Sequence, residues 1–247
     1  MDSLDCLNKK TIELLQKNNL LIPLITRELQ VKELSNIEVP RELKVKALQD
    51  FVRNLNLPNQ ESFEAWKNNN NLTDLEIENL AFNDVKLKIY CKNNFDNKAE
   101  SRFLERKSDL DIIVYSLLRV KEIDKARELY LRIEEKEAEF SYLASKFSEG
   151  IEKKSCGIIG PGPIGAAHPK LIRHLQNKPV GEVQPPIMIE DSYVIVRVES
   201  FDPAKLDNFM REKMTLELFN NWLQKKANKI SENLLTKIKS ENYVLQE

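Results

Sequence analysis

The chemistry that this 247-residue sequence can offer is gathered in two histidines, three cysteines and one glycine–proline cluster. His168 and His174 lie six residues apart, which on a helix places them on different faces and argues against a metal pair. His168 precedes Pro169, so an extended residue at a helix start is expected there. Cys6, Cys91 and Cys156 are odd in number and widely spaced, and they fit neither a zinc site nor the disulfide framework of a secreted domain. They read as reduced thiols. Cys156 sits in the turn, where Lys153 and Lys154 supply a hint of the electropositive neighbourhood that a reactive thiol needs. The stretch Gly157 to Gly165 invites comparison with a phosphate loop, but it lacks the Gly-Lys-Ser/Thr ending. Pro161 and Pro163 also remove two of the amides that such a loop aims at phosphate. No metal or cofactor is expected.

The bulk composition narrows the partners. Lys and Arg number 38 against 39 Asp and Glu, a net charge of -1, which gives no basic footprint for nucleic acid. The opening MDSLDCLNKKTIELL has acids ahead of any apolar run and no positive n-region, which argues against a secretory signal and for a cytoplasmic protein. Leu20 to Ile25, the longest apolar stretch, is broken by Pro23 and too short to span a membrane.

The elements that must position any site follow from where glycine sits. All six glycines fall between Gly150 and Gly181, and the first 149 residues contain none. Helix interiors avoid glycine, so the first part of the chain reads as helices joined by polar breaks. Ile12, Leu15, Leu21, Ile25, Leu29 and Leu34 recur at helical spacing, with Pro23 marking a new helix start. Pro40 opens a segment with Leu43, Ala47, Phe51 and Leu55 on one face. Asn68 to Asn71 reads as a loop. Thr73 and Glu76 form a capping-box signature ahead of Leu80, Val85 and Ile89, and a separate charged helix is expected over 96–107. Residues 111–120 are rich in β-branched and aromatic types and predict a mostly buried strand. Helices follow over 123–134 and 140–147. Pro185 to Ile189 and Ser192 to Val198 read as a strand pair. From Pro203 onward a long helix carries a broad apolar face, including Met214, Phe219, Trp222 and Leu223, that must dock on other helices.

The order strand, helix, helix, glycine-rich turn, short helix, strand pair resembles a parvulin-type peptidyl-prolyl isomerase (PpiC or rotamase) domain. Four stretches carry the resemblance in order: VYSLLRVK from residue 114, FSYLASKFSEG from 140, KSCGIIGPGPIG from 154, and PVGEVQPPIMIEDSYVIVRVES from 179. Upstream, LIPLITRELQVKELSNIEVP and the helices after it resemble a SurA-like chaperone segment. The implied fold class is α+β: a helical N-terminal domain completed by a long C-terminal helix, plus a small parvulin-like domain with a four-stranded sheet and flanking helices. The implied divisions are 1–108, 109–201 and 202–247, the last packing on the N-terminal helices.

The resemblance also implies the site. Parvulins carry one histidine in the first strand and one in the last. Here those positions fall at Ser116, a weak catalytic candidate, and at Val194. Catalysis by the usual pair is thereby put in doubt, while peptide binding is not. Leu118, Cys156, Ile164, His168, Leu171, Tyr193 and Val194 are the expected peptide-binding residues, with Leu118, Leu171 and Tyr193 sharing one apolar hollow. The implied partner is an unfolded or extended polypeptide, with a possible link to export machinery. Three roles stay open: an isomerase, a parvulin-shaped holdase that binds without catalysing, and a plain adaptor.

Overall fold

The computed structural model describes residues 6–176 and 178–244, with side chains placed through Thr236. Residues 1–5, part of the opening read for a secretory signal, lie outside the described residues, as do 245–247 of the expected C-terminal helix. The chain forms two compact units: residues up to Arg102 together with those from Asp207 onward, and Phe103 to Leu206 between them.

The helical unit holds α1 (Lys9–Lys17), α2 (Leu21–Leu34), α3 (Arg41–Asn54), α4 (Gln60–Asn69), most of α5 (Asp74–Leu110) and α9 (Asn208–Val244). Pro23 sits in the first turn of α2, where its missing N–H costs nothing. At the start of α5 the capping box is made in both directions. The backbone N–H of Thr73 donates to the Glu76 carboxylate at 2.7 Å, and that of Glu76 donates to the Thr73 hydroxyl at 3.3 Å. The two helices expected between residues 75 and 107 are one continuous helix. No glycine or proline interrupts 74–110, and the Asn94 side-chain amide donates back to the Tyr90 carbonyl at 2.9 Å within the helix.

The apolar stripe of α9 docks against α1, α2 and α5. Ile12, Leu21, Ile25, Leu29, Cys91, Phe219, Leu223 and Ala227 share one buried cluster. Tyr90, Phe95, Phe219 and Trp222 add stacked and edge-on ring contacts with centroids 5.3 to 6.5 Å apart. Glu33 on α2 accepts from the Tyr90 hydroxyl at 3.0 Å and from Lys226 Nζ at 2.8 Å, tying α2 to α5 and α9.

The second unit is built on a four-stranded antiparallel sheet in the order β2-β1-β4-β3, formed by β1 (Ile112–Val120), β2 (Ile158–Pro163), β3 (Val183–Ile189) and β4 (Ser192–Asp202). Helices α6 (Ile123–Glu134), α7 (Phe140–Phe147) and α8 (Pro169–Leu175) flank it. The α+β arrangement of helical unit and sheet unit is the one the sequence implies. Strand β2 lies inside the glycine region and pairs with β1. Gly157 leads into it at φ +88°, its carbonyl accepting from the Leu117 N–H at 2.8 Å. A Cβ there would meet Ala144 and the Leu117 carbonyl below 3.0 Å, so both the positive φ and the close approach require glycine.

Each face of the sheet has its own core. On one side Leu118, Val120 and Ile195 pack with Ala126, Leu129, Ile133, Phe140, Leu143 and Ala144 from α6 and α7. On the other, Ile113, Tyr115, Leu117, Val194, Val196 and Val198 pack with Ile164, Leu171 and Leu175. The pleat assigns alternate residues of β1 and β4 to the two sides.

Candidate functional site

A cavity of about 200 Å³ opens on the second of these faces, lined by Leu117, Arg119, His168, Leu171, Ile189, Glu190 and Val194. It is smaller than the roughly 300–1,000 Å³ of a drug-sized ligand pocket and suits a single apolar side chain. Leu117 and Arg119 come from β1, Val194 from β4 directly opposite Arg119, and Leu171 from α8. Ile189 and Glu190 come from the β3–β4 turn, where Glu190 takes a positive φ of 53°.

His168 stands at the N-cap of α8, extended as the following proline demands, and its Nδ1 accepts from the Lys170 N–H at 3.2 Å. With Nδ1 engaged as acceptor, the neutral ring carries its proton on Nε2 and offers a donor there. Arg119 is the second donor. Its Nε is buried and has no hydrogen-bond partner among the described residues. Glu152 Oε1 lies 3.6 Å from it, beyond hydrogen-bond length, and the Glu152 side chain is only 2% exposed. Tyr115, on the same face of β1, has its phenol pushed up by burial, with the Glu152 charge adding and the Arg119 charge opposing.

Of the residues expected from the sequence, His168, Leu171 and Val194 meet at this cavity. Ile164 is fully buried in the same apolar cluster but does not line the opening. Cys156 is exposed, in a left-handed conformation after the turn Ile151–Ser155, and lies off the cavity. The expectation that Leu118, Leu171 and Tyr193 share one hollow is overturned. Leu118 is fully buried under α6 and α7, and Tyr193 packs against that same cluster on the opposite side from Leu171.

Ser116 also belongs to the far side. Its hydroxyl donates to the Glu199 carboxylate, which accepts from Arg197 Nε at 2.8 Å, and the Arg197 guanidinium stands 5.3 Å from the ring centre of Phe140. The correction is one of register, because in a strand a shift of one residue moves a side chain to the other face. Leu117 and Arg119 are the β1 residues that face the cavity. Sequence reasoning missed Leu117, Arg119, Glu152, Ile189 and Glu190. A charged residue inside an otherwise apolar strand was the available signal for Arg119. Among the described residues no group of three or more His, Cys, Asp or Glu gathers to hold a metal, and no helix is long and apolar enough to cross a membrane.

The family description "Rotamase: PPIC-type PPIASE domain" matches residues 118–200, which takes in most of this unit. No curated protein matches the sequence. Among solved structures, the peptidylprolyl isomerase PrsA from Bacillus anthracis is similar at 18% identity and a TM-score of 0.48, over 85% of this chain and 97% of that one. The foldase protein PrsA from Streptococcus pneumoniae is similar at 14% identity and a TM-score of 0.42, over 92% and 85%. The parvulin domain of PpiD from E. coli is similar at 23% identity and a TM-score of 0.34, over 40% and 95%. The sheet unit of this chain, in residues 118–200, carries a PPIC-type rotamase domain of the parvulin family.

Proposed function

We propose that the sheet unit binds proline-containing segments of extended or unfolded polypeptides and catalyses their cis–trans isomerisation, so that the protein works as a foldase. The observation that carries this reading is the 200 Å³ cavity, whose apolar walls Leu117, Leu171, Ile189 and Val194 are joined by the donors Arg119 and His168. Rotating an X-Pro amide crosses a barrier of roughly 18–20 kcal/mol and needs neither nucleophile nor metal. It needs a grip on the prolyl ring and a preference for the twisted amide over the planar one. An apolar hollow supplies the first, and hydrogen-bond donors at its wall supply the second.

The test is a proline-isomerisation assay on a tetrapeptide series, run beside suppression of client aggregation. Isomerisation above background that is lost in Leu171→Ala supports the proposal. A chain that accelerates nothing and binds no proline peptide ends it.

A second reading, a holdase that binds without catalysing, is supported by a groove of about 770 Å³ in the helical unit, between α5 and α9. Leu87, Phe209 and Leu216 line it, and Phe209 is 75% exposed. Aggregation suppression without rate enhancement, weakened in Phe209→Ser, would favour that role. A link to export machinery extends either reading and is read by co-purification with export components.

A further inference from the structure

We infer that Arg119 is the catalytic hydrogen-bond donor to the twisted amide in the sheet unit's cavity, and that the buried carboxylate of Glu152 is the residue that positions it. The inference rests on the isomerase reading above and gives that site its chemistry.

The arrangement closes on itself. The backbone N–H of Arg119 donates to Ser148 Oγ at 3.1 Å, and the Ser148 hydroxyl donates to Glu152 Oε1 at 2.7 Å. That same oxygen faces Arg119 Nε at 3.6 Å. A ring of three residues thus fixes where the guanidinium begins. Gly150 is what makes room for it, since a Cβ at that position would stand 2.2 Å from a Glu152 carboxylate oxygen. The Glu149 N–H donates to the Arg119 carbonyl at 2.8 Å and holds the same stretch against β1.

Two features separate Arg119 from an ordinary ion pair. Its Nε is buried without a hydrogen-bond partner among the described residues, although Glu152 lies close enough to balance the charge. A buried donor left unmade is costly, and a native fold retains one where it serves a purpose. The side chain as a whole is 43% exposed and lines the cavity, leaving the Nη ends of the fork as the donors a ligand can reach.

Twisting an X-Pro amide breaks its resonance and returns a lone pair to the prolyl nitrogen. A donor beside that nitrogen gains a partner in the twisted state that the planar amide does not offer, which is the condition for lowering the barrier. A guanidinium presents its N–H donors in a fixed planar fork, and here that fork stands beside the apolar walls of Leu117, Leu171 and Val194. Arg119 can therefore do in this domain what the replaced residues at Ser116 and Val194 do not.

The experiment uses the full chain and a proline tetrapeptide, with isomerisation followed kinetically and binding followed separately by chemical-shift titration. Arg119→Gln is expected to lower kcat by about 10²–10³-fold, as for loss of one transition-state donor, with KM and peptide affinity little changed. Glu152→Gln keeps the Ser148 contact and removes the charge, so it lowers kcat by less and again spares KM. Gly150→Ala, which alters no charge, mimics it by displacing the carboxylate, and a merely structural role for Glu152 would not produce that split between kcat and KM.

An unchanged kcat in Arg119→Gln overturns the inference. So does equal loss of kcat and peptide affinity in a folded variant, which would make Arg119 a binding residue only. If Arg119→Gln does not fold, Arg119→Met carries the test, because it keeps the apolar length of the side chain and removes every donor, and an unchanged kcat there overturns the inference as well. Wild-type chain that binds the peptide without isomerising it overturns this inference and leaves peptide binding standing. Wild-type chain that does not bind removes the functional reading beneath it.

Discussion

Leu117 and Leu118 are chain neighbours on β1, yet they belong to different cores: Leu117 lines the cavity with Leu171 and Val194, and Leu118 lies fully buried beneath α6 and α7. Their substitutions should therefore fail in different ways. Leu118→Ala leaves a void between sheet and helices and should cost about 2–5 kcal/mol of stability. The protein that remains folded should bind proline peptide as wild type does. Leu117→Ala should weaken peptide binding in the folded fraction too. Denaturant melts paired with a peptide titration check both, and equal peptide affinities for the two variants would contradict the assignment of faces.

Two glycines with similar backbones make a controlled pair. Gly157 (φ +88°) and Gly181 (φ +86°) both occupy the left-handed region, but a Cβ meets Ala144 at 2.8 Å in the first and nothing within 4 Å in the second. Gly181→Ala bears the conformational strain alone, about 1 kcal/mol. Gly157→Ala adds a clash with α7 and with the backbone of β1, and should be clearly the more destabilised of the two in thermal or denaturant melts.

Tyr90 should make the helical unit sensitive to alkali. Its phenol is pushed up to about 12, first by burial and then by the hydrogen bond to Glu33 and the charge of Glu33. A group whose pKa is higher folded than unfolded contributes stability that is whole below the unfolded value, about 10, and is lost as pH rises through the folded one. Stability should therefore decline between about pH 10 and 12 and decline less in Tyr90→Phe. Tyr130 is also held at about 12, chiefly by its hydrogen bond to Glu134, so a tyrosinate absorbance titration should lose one of its late-ionising phenols in Tyr90→Phe.

Glu33 tests the same junction from the acid side. Burial raises its carboxyl pKa, but the hydrogen bonds from Lys226 and Tyr90, together with the charges of Lys226 and Lys32, outweigh that and hold it below the ordinary value. Its contribution is present above the unfolded carboxylate range, about 4.3, and is lost as pH falls through the lowered value. Lys226→Met should blunt the acid-side fall in stability, measured as the melting temperature at several pH values.

The three thiols should separate by reactivity. Cys91 is buried in the α2–α5–α9 core and its thiol is pushed up to about 11 by that burial, whereas Cys6 and Cys156 are exposed. The thiolate is the reactive form, so a colorimetric thiol reagent near neutral pH should modify Cys6 and Cys156 promptly and reach Cys91 only on unfolding. Rapid modification of all three in the native protein would contradict the packing around Cys91.

The kinds of element and most of their limits were legible in the residues because they depend on local causes. Glycine absent from the first two-fifths of the chain meant helices there, Thr73 with Glu76 marked the start of α5, and the β-branched run after Asp111 meant a strand. Which way a strand residue faces is a different matter. Ser116, Leu118 and Tyr193 were drawn to the cavity by their place in a motif, but β1 alternates without a break from Ile113 to Val120, and the packing of α6 and α7 covers the face that holds Leu118 and Tyr193. Side-chain direction in a sheet alternates residue by residue and is settled only when both faces are covered, so long-range packing decides it. The same holds for Arg119 and Glu152, 33 residues apart in sequence, whose approach is created by the turn after α7 folding back on β1.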